Sequence, residues 1–247
     1  MSYQIFNESN LDTMQRMADN YIDLTVTSPP YDGLRTYNGY SFPFEDIARE
    51  LYRVTKPGWV VGDATINGSE SVTSFKQALY FKEIGFNLHD TMIYQKRNFS
   101  NPSNNRYHQI FEYMFVFSKG KPKTFNPIID RKNVEAGKVG SWGRNTVRQV
   151  DGTFKENTRK INKEYGQRYN IWRINTEMHP LHPAQFPEQL ANDHILSWSN
   201  EGDMIYDPFA GSGTTVKMSI INNRNCIASE ISYEYCEIMK NRLLTAI

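Results

Sequence analysis

The chain has 247 residues, with 28 Lys+Arg against 27 Asp+Glu and a formal net charge of +1. That length suits one large domain or two small ones, and an aromatic content of 13% excludes a disordered chain. The longest apolar run, residues 110–117, is interrupted by Glu112 and falls far short of the roughly 18 residues that a membrane helix requires. The segment from Met1 to Asn10 has neither the basic start nor the apolar core of a secretory signal, so a soluble, cytoplasmic protein is the expectation. Cys226 and Cys236 are too few for a disulfide framework and lack the spacing of a zinc site. Pro180 and Pro183 place His179 and His182 on a loop, and no metal centre is expected there.

In chain order, residues 11–18 carry a helical pattern and residues 23–27 an apolar, β-branched run that suits a buried parallel strand. Ser28-Pro29-Pro30-Tyr31 follows directly, then a polar Gly/Tyr-rich loop to Pro43. Residues 45–54 read as a helix with Ile47, Leu51 and Val54 on one face, and Lys56-Pro57-Gly58 separates it from a strand over 59–61. A second helix is predicted over 74–84 with Phe75, Leu79 and Ile84 inward, and further strands over 91–94 and 112–117. From about Asn126 to Asn175 the periodicity fades. It returns as a helix over 190–198, a strand over 204–207, a helix over 214–221, a strand over 226–229 and a closing helix over 233–244. This alternation predicts a doubly wound α/β sheet interrupted by one irregular insertion.

Two segments carry chemistry. Asp207-Pro208-Phe209-Ala210-Gly211-Ser212-Gly213-Thr214-Thr215 sits between a predicted strand and a predicted helix. Glycines two apart permit a tight turn and close approach of a ligand, and the helix behind them offers free N–H groups to an anionic end. The next strand ends at Glu230, 23 residues after Asp207, near the spacing at which an acid reaches ribose hydroxyls. The same loop alone reads as a structural turn. It lacks the third glycine of a dinucleotide fingerprint and the Gly-Lys-Ser/Thr of a phosphate loop, so it suits an adenosyl group joined to an amino-acid tail. The second segment, Ser28-Pro29-Pro30-Tyr31, is either a strand-terminating turn or a rigid holder for a flat base. In the latter reading Tyr31 stacks on the base, while the Ser28 hydroxyl and Pro29 carbonyl accept from an exocyclic amine.

With these residues in view, the chain is similar to the S-adenosylmethionine-dependent amino-group DNA methyltransferases. The stretch 207–215 resembles their cofactor motif, and 27–31 resembles their catalytic motif. His182-Pro183-Ala184-Gln185-Phe186-Pro187, then Leu190 and Gly202-Asp203, resembles the segment leading into the cofactor motif. The catalytic motif comes first, which is the circularly permuted order of the β class. The resemblance implies a Rossmann-like, seven-stranded α/β sheet with one antiparallel strand, formed by residues 1–125 and 175–247, and a target-recognition insertion over 126–174. It implies S-adenosyl-L-methionine as cofactor, held by Asn7, Glu8, Asp207, Pro208, Phe209, Gly211, Gly213, Thr214 and Glu230. Where the family commonly begins with a Gly-Asp pair near the adenine, this chain has Asn7-Glu8-Ser9.

The implied reaction is direct methyl transfer to the exocyclic amine of a base flipped out of duplex DNA, with Ser28, Pro29, Pro30 and Tyr31 as the catalytic turn. The Ser-Pro-Pro-Tyr form and the Ala-x-Phe-Pro form of residues 184–187 lean towards cytosine N4, with adenine N6 as the alternative. Carbon-5 chemistry is disfavoured, because neither cysteine sits on a catalytic turn. An RNA or protein-glutamine methyltransferase, and an inactive DNA-binding relative, are more remote alternatives. A homodimer and a restriction enzyme on a separate chain are further expectations for partners.

Residues 96–173 carry 17 Lys+Arg and 6 Asp+Glu, a net of +11, while the remainder carries −10. The near-zero total therefore excludes nothing about nucleic acid. Arg131, Lys132, Lys138, Trp142, Arg144 and Arg148 are the expected groove and phosphate contacts, and Arg35 and Tyr37 the expected contacts beside the base pocket. Residues 97–106, with four Asn, read equally as a DNA-facing or a plain surface loop.

Overall fold

A computed structural model describes residues 2–30, 42–55, 59–61, 65–66, 69–99, 102, 104–139, 146–156, 161–176 and 187–244. Tyr31, Arg35, Tyr37, Trp142, Arg144 and the stretch 177–186, with both loop histidines and Ala184 to Phe186, lie outside the described residues. The chain divides into a large unit, Met1–Asn126 with Asn170–Ile247, and a small unit, Pro127–Tyr169.

The large unit begins with β1 (Tyr3–Phe6), α1 (Asn10–Gln15), β2 (Leu24–Thr25), α2 (Phe44–Val54) and β3 (Trp59–Val61). A short hairpin, β4 (Thr65–Ile66) and β5 (Ser69–Glu70), leads to α3 (Thr73–Glu83), β6 (Asn87–Gln95) and β7 (Phe111–Ser118). The small unit holds β8 (Arg131–Lys132), β9 (Thr146–Arg148), β10 (Phe154–Glu156) and β11 (Tyr165–Gly166). The large unit resumes with β12 (Ile171–Arg173), α4 (Glu188–Trp198), β13 (Met204–Asp207), α5 (Thr214–Ile221), β14 (Asn225–Ser229) and α6 (Tyr233–Leu244).

One four-stranded sheet runs β1-β14-β13-β2 with every pair parallel. The other runs β12-β6-β7-β3, in which β7 is antiparallel to both neighbours. A parallel bridge, Ile22↔Thr55, joins the two, with the Ile22 N–H donating to the Val54 carbonyl at 2.9 Å. The strands of these sheets number eight among the described residues, against the seven implied by resemblance. One of the eight, β12, arises from the stretch that sequence periodicity left irregular; it pairs with β6 along Ile171–Arg173.

The central strands are apolar on both faces because helices cover both. Ile22, Tyr206 and Ile227 point to one side, with Met14 of α1, Leu51 of α2 and Phe81 of α3. Leu24, Ile205 and Ala228 point to the other, with Ile195 of α4, Val216 of α5 and Met239 of α6. Each fully buried side chain of this size contributes roughly 1.5–3 kcal/mol relative to exposure. Helix α3 corrects one expectation. Its buried face is Ser74, Gln77, Ala78 and Phe81, whereas Phe75 and Leu79 point outward, 44% and 67% exposed. Two apolar stripes exist on this helix, and the one bearing small residues is the one that packs on the sheet; Phe75 instead rests against the Tyr113 ring.

His194 lies in the core with its Nε2 3.2 Å from Met114 Sδ, and burial pushes it down to about 4. Both cysteines are free and buried, which pushes the Cys226 thiol up and the Cys236 thiol up to about 11. Among the described residues no helix is long and apolar enough to cross a membrane.

Within the small unit, β8 pairs antiparallel with β11 and β9 with β10. Asp151 accepts from the Thr153 N–H and hydroxyl at 2.9 and 2.6 Å to close the β9–β10 turn, where Gly152 has φ +84°.

Candidate active site

Strands β13 and β2 are neighbours, yet the chain leaves them in opposite directions. From β13 it continues through α5 to β14 within one sheet, and from β2 through α2 to β3 in the other. Such a divergence opens a crevice beyond the carboxyl ends of the two strands, where open α/β sheets bind their ligands. The two segments singled out in the sequence emerge at this point: Ser28-Pro29-Pro30 after β2, and the glycine loop after β13.

They are tied together through buried polar groups. Thr27 Oγ1 donates to Asp207 Oδ1 at 2.6 Å, and the same oxygen accepts the Phe209 N–H at 3.0 Å. Thr215 Oγ1, in the first turn of α5, donates to the Val26 carbonyl at 3.2 Å. Burial pushes the Asp207 carboxyl up to about 6, against the opposing pull of these donors. Pro29 is buried, and Ser28 and Pro30 are partly exposed beside it.

The loop has the strained backbone its glycines allow. Gly211 and Gly213 have φ of +50° and +83°, and a Cβ on Gly213 would lie 2.3 Å from Met239 Cγ. Helix α5 therefore starts close against α6, and its first-turn N–H groups, which lack intrahelical partners, face the loop. Glu230 sits at the end of β14 as its spacing predicts. Its Oε2 accepts the Gly211 N–H at 2.8 Å and its Oε1 the Ser232 N–H at 2.9 Å. Burial raises its carboxyl above the ordinary range. The Ile231 N–H also bonds this carboxylate, and with about four acceptor sites in all the acid that braces the loop retains capacity for a hydroxyl.

Asn7 and Glu8 lie beside this site and have partners within the fold. The Asn7 amide donates to the Glu230 and Ile231 carbonyls at 2.9 and 3.1 Å, and Glu8 pairs with Arg16 and accepts from Thr13 Oγ1. Three contributors escaped the sequence reading. Asn10 donates to the Pro208 carbonyl at 3.1 Å, Phe42 packs edge-on against Phe209 at 5.6 Å, and Arg242 binds the loop from α6. The link between Glu188 and Arg242 spans 54 residues of sequence, and no local pattern announces it.

The expected DNA contacts divide. Lys132 and Arg148 are exposed on the small unit. Arg131 is drawn back onto its own unit: its Nε donates to the Gln167 carbonyl at 2.9 Å and its guanidinium lies 4.6 Å from the Tyr169 ring centre. Lys138 pairs with Glu135 at 2.7 Å, both of them exposed.

Comparison with known proteins places this architecture. A family model described as DNA methylase, of the N6/N4 type, matches residues 22–241. The chain is 58% identical over 243 residues to the orphan methyltransferase M.BamHII of Bacillus amyloliquefaciens, covering 93% of this chain and 91% of that protein. It is 25% identical to the type II methyltransferase M.SmaI of Serratia marcescens, over 94% of this chain and 88% of the other. Among solved structures, the cytosine-N4-specific PvuII DNA methyltransferase superposes with a TM-score of 0.69 at 17% identity, covering 98% of this chain and 86% of that one. A structure of the M1.HpyAVI–SAM complex superposes at 0.63 with 23% identity, covering 98% and 100%. The chain thus belongs to the N6/N4 family of DNA methyltransferases.

Proposed function

We propose that the protein transfers a methyl group from S-adenosyl-L-methionine to the exocyclic amine of a base flipped out of duplex DNA, and that the base is cytosine, methylated at N4. The observation that carries this reading is the Thr27–Asp207 hydrogen bond, which holds the catalytic turn and the glycine loop at one crevice. Bound S-adenosylmethionine supplies an electrophilic methyl group on a sulfonium. The donor set suits that cofactor: first-turn N–H groups of α5 for its carboxylate, Glu230 for its ribose, and Phe209 with Phe42 as apolar surface for its adenine.

The substrate amine is a weak nucleophile because its lone pair is delocalised into the ring. Ser28 Oγ and the Pro29 carbonyl accept from that amine, concentrate the lone pair on nitrogen and aim it along the transfer line. The two prolines fix φ, so the turn that carries these acceptors is rigid. Tyr31 stacks on the base and offsets part of the few kcal/mol needed to unstack it from the helix. Positioning of two bound reactants supplies much of the rate.

The small unit, Pro127–Tyr169, is proposed as the sequence reader, with Lys132 and Arg148 on phosphates or groove edges, and Trp142 and Arg144 in the same role. Arg35 and Tyr37 are proposed beside the base pocket. The 58% identity to a methyltransferase named as an orphan favours action without a linked restriction enzyme. The outward Phe75 and Leu79 of α3 offer an apolar surface for the homodimer that is part of this reading. Cytoplasmic residence follows from the DNA substrate.

The test is transfer of labelled methyl groups to duplex DNA followed by mass spectrometry of the nucleosides. N4-methylcytosine is the expected product. N6-methyladenine alone would replace the cytosine reading, and labelling of RNA in preference to DNA would overturn the substrate class. Tyr31→Ala and Gly211→Val are expected to abolish transfer, and near-normal activity in either removes that residue from the site.

A further inference from the structure

The glycine loop is gripped from two sides. On the strand side it meets carboxylates, since Asp207 takes the Phe209 N–H and Glu230 takes the Gly211 N–H. On the helix side it meets a guanidinium. Arg242, near the end of α6, donates to the Ser212 carbonyl and Ser212 Oγ at 3.2 Å each and to Thr214 Oγ1 at 3.1 Å. Its other nitrogen pairs with Glu188 in the first turn of α4, and the same Glu188 oxygen accepts Lys217 Nζ of α5 at 2.7 Å. The Glu188 carboxylate thus receives a cation from both α5 and α6. Burial alone would push the Glu188 carboxyl up, but Lys217 and Arg242 together hold it below the ordinary range, so it stays charged at neutral pH.

The place of Arg242 is informative. Thr214 opens α5, so Arg242 stands beside the amino end of a helix, the positive end of its dipole, where a cation is disfavoured. The Arg242 side chain is only 13% exposed, and water screens it little. A cation held against an amide-rich helix start is unfavourable alone and favourable once an anion arrives. An amino-acid tail brings one carboxylate, and its ammonium suits the opposite, carboxylate-lined flank of the loop.

We propose that Arg242 is a positioning residue of the cofactor site, clamping the Ser212–Thr214 turn and setting the positive charge that selects the carboxylate end of the cofactor tail. This rests on the glycine loop being the cofactor site. Arg242 acts through the turn and its field, with no contact to the ligand required.

Calorimetric binding separates the two ideas. The ligands are S-adenosylhomocysteine and S-adenosyl-3-thiopropylamine, the same molecule without its carboxylate. Arg242→Gln is expected to weaken the first by about tenfold and the second by less than about twofold, and Arg242→Lys to recover most of the loss. Equal weakening of both ligands would reduce Arg242 to a structural clamp and overturn the proposal, as would no weakening of either. If Arg242→Gln does not fold, Glu188→Gln carries the test. It keeps the guanidinium and removes its counter-charge, so preference for the carboxylate is expected to hold or rise, and a selective fall would overturn the proposal. Gly211→Val is the control for the site itself: unchanged binding there would refute the glycine-loop reading, whatever Arg242 does.

Discussion

The glycine loop and the small basic unit use their polar side chains for opposite purposes. Around the loop, Asp207, Glu230, Asn10 and Arg242 hold backbone atoms in place and Thr27 holds the Asp207 carboxylate, while the first-turn amides of α5 have no intrahelical partner. In Pro127–Tyr169 the strands are two or three residues long, and Val134, Val150 and Ile161 stand exposed, so there is little apolar core to hold them. Charged groups take over that work. Arg131 grips Gln167 and Tyr169, Arg168 pairs with Asp130, and Lys138 pairs with Glu135. A count of basic residues in such a unit is therefore not a count of DNA contacts.

The contrast predicts the largest effects at the loop. Gly213→Val places a Cβ 2.3 Å from Met239 Cγ at a backbone φ of +83°. Overpacking and left-handed strain together cost about 4 kcal/mol. Thermal unfolding is expected to show that loss, with cofactor binding abolished at temperatures where the variant remains folded. A melting point within a degree or two of wild type would mean that the loop and α6 are not in close contact.

Asp207 gives a pH-dependent effect of the next size. Its folded value of about 6 lies above the ordinary 3.8, so the folded state binds the proton more tightly than the unfolded chain does. Ionising it costs the fold stability, a cost absent below about pH 4 and fully present above about pH 6, of the order of 3 kcal/mol. Asp207→Asn keeps an acceptor for Thr27 and removes that cost. The variant is expected to be more stable than wild type at pH 7, with the advantage vanishing at pH 4, in paired denaturant titrations. A stability difference independent of pH would show that Asp207 is not the group being titrated.

Much of the large unit was legible in the sequence, because both-face burial writes continuous apolar runs and helix faces repeat at fixed spacing. The bounds of β13, α5 and α6 coincide with the residues read from the pattern. What escaped has physical reasons. Strand β1 is four residues at a sheet edge, too short to show a period. Strands β8 to β11 are pieces of two or three residues, too short for alternation to show, and β12 is three residues placed by parallel pairing with the distant β6. On α3 two stripes competed, and Ala78, being small, allowed the closer approach that the larger Leu79 does not. In the site, the Asp207–Glu230 pair follows from spacing along one βαβ unit. The Arg242–Glu188 clamp joins two helices far apart in sequence and is visible only once they pack.

On the small unit the effects become smaller and diagnostic. Arg131→Ala removes the bond to the Gln167 carbonyl and the contact with the Tyr169 ring, about 1–2 kcal/mol of local stability. Hydrogen exchange is expected to speed up within residues 127–169 and to remain unchanged in β13 and β14. Unchanged exchange in the small unit would return Arg131 to the set of free DNA-facing cations.

Arg148 is the complementary case. It is exposed on β9 opposite Phe154 and pairs with no acidic group among the described residues. Arg148→Ala should therefore leave stability within about 0.5 kcal/mol of wild type, as expected at a surface position that supports no other group. Its contribution is expected only when DNA is present. A cation that neutralises one phosphate releases about one counterion, so its removal lowers the slope of log affinity against log salt by about 1. Titrations of a fluorescent duplex at several salt concentrations measure that slope. Arg131→Ala, by contrast, should weaken binding only in proportion to the fraction of the small unit it unfolds, with the slope preserved in the molecules that remain folded. If both variants change the slope alike, the division between cations that build the unit and cations that face the DNA fails; if only Arg148→Ala does, that division locates the DNA-facing edge of the reader on β9.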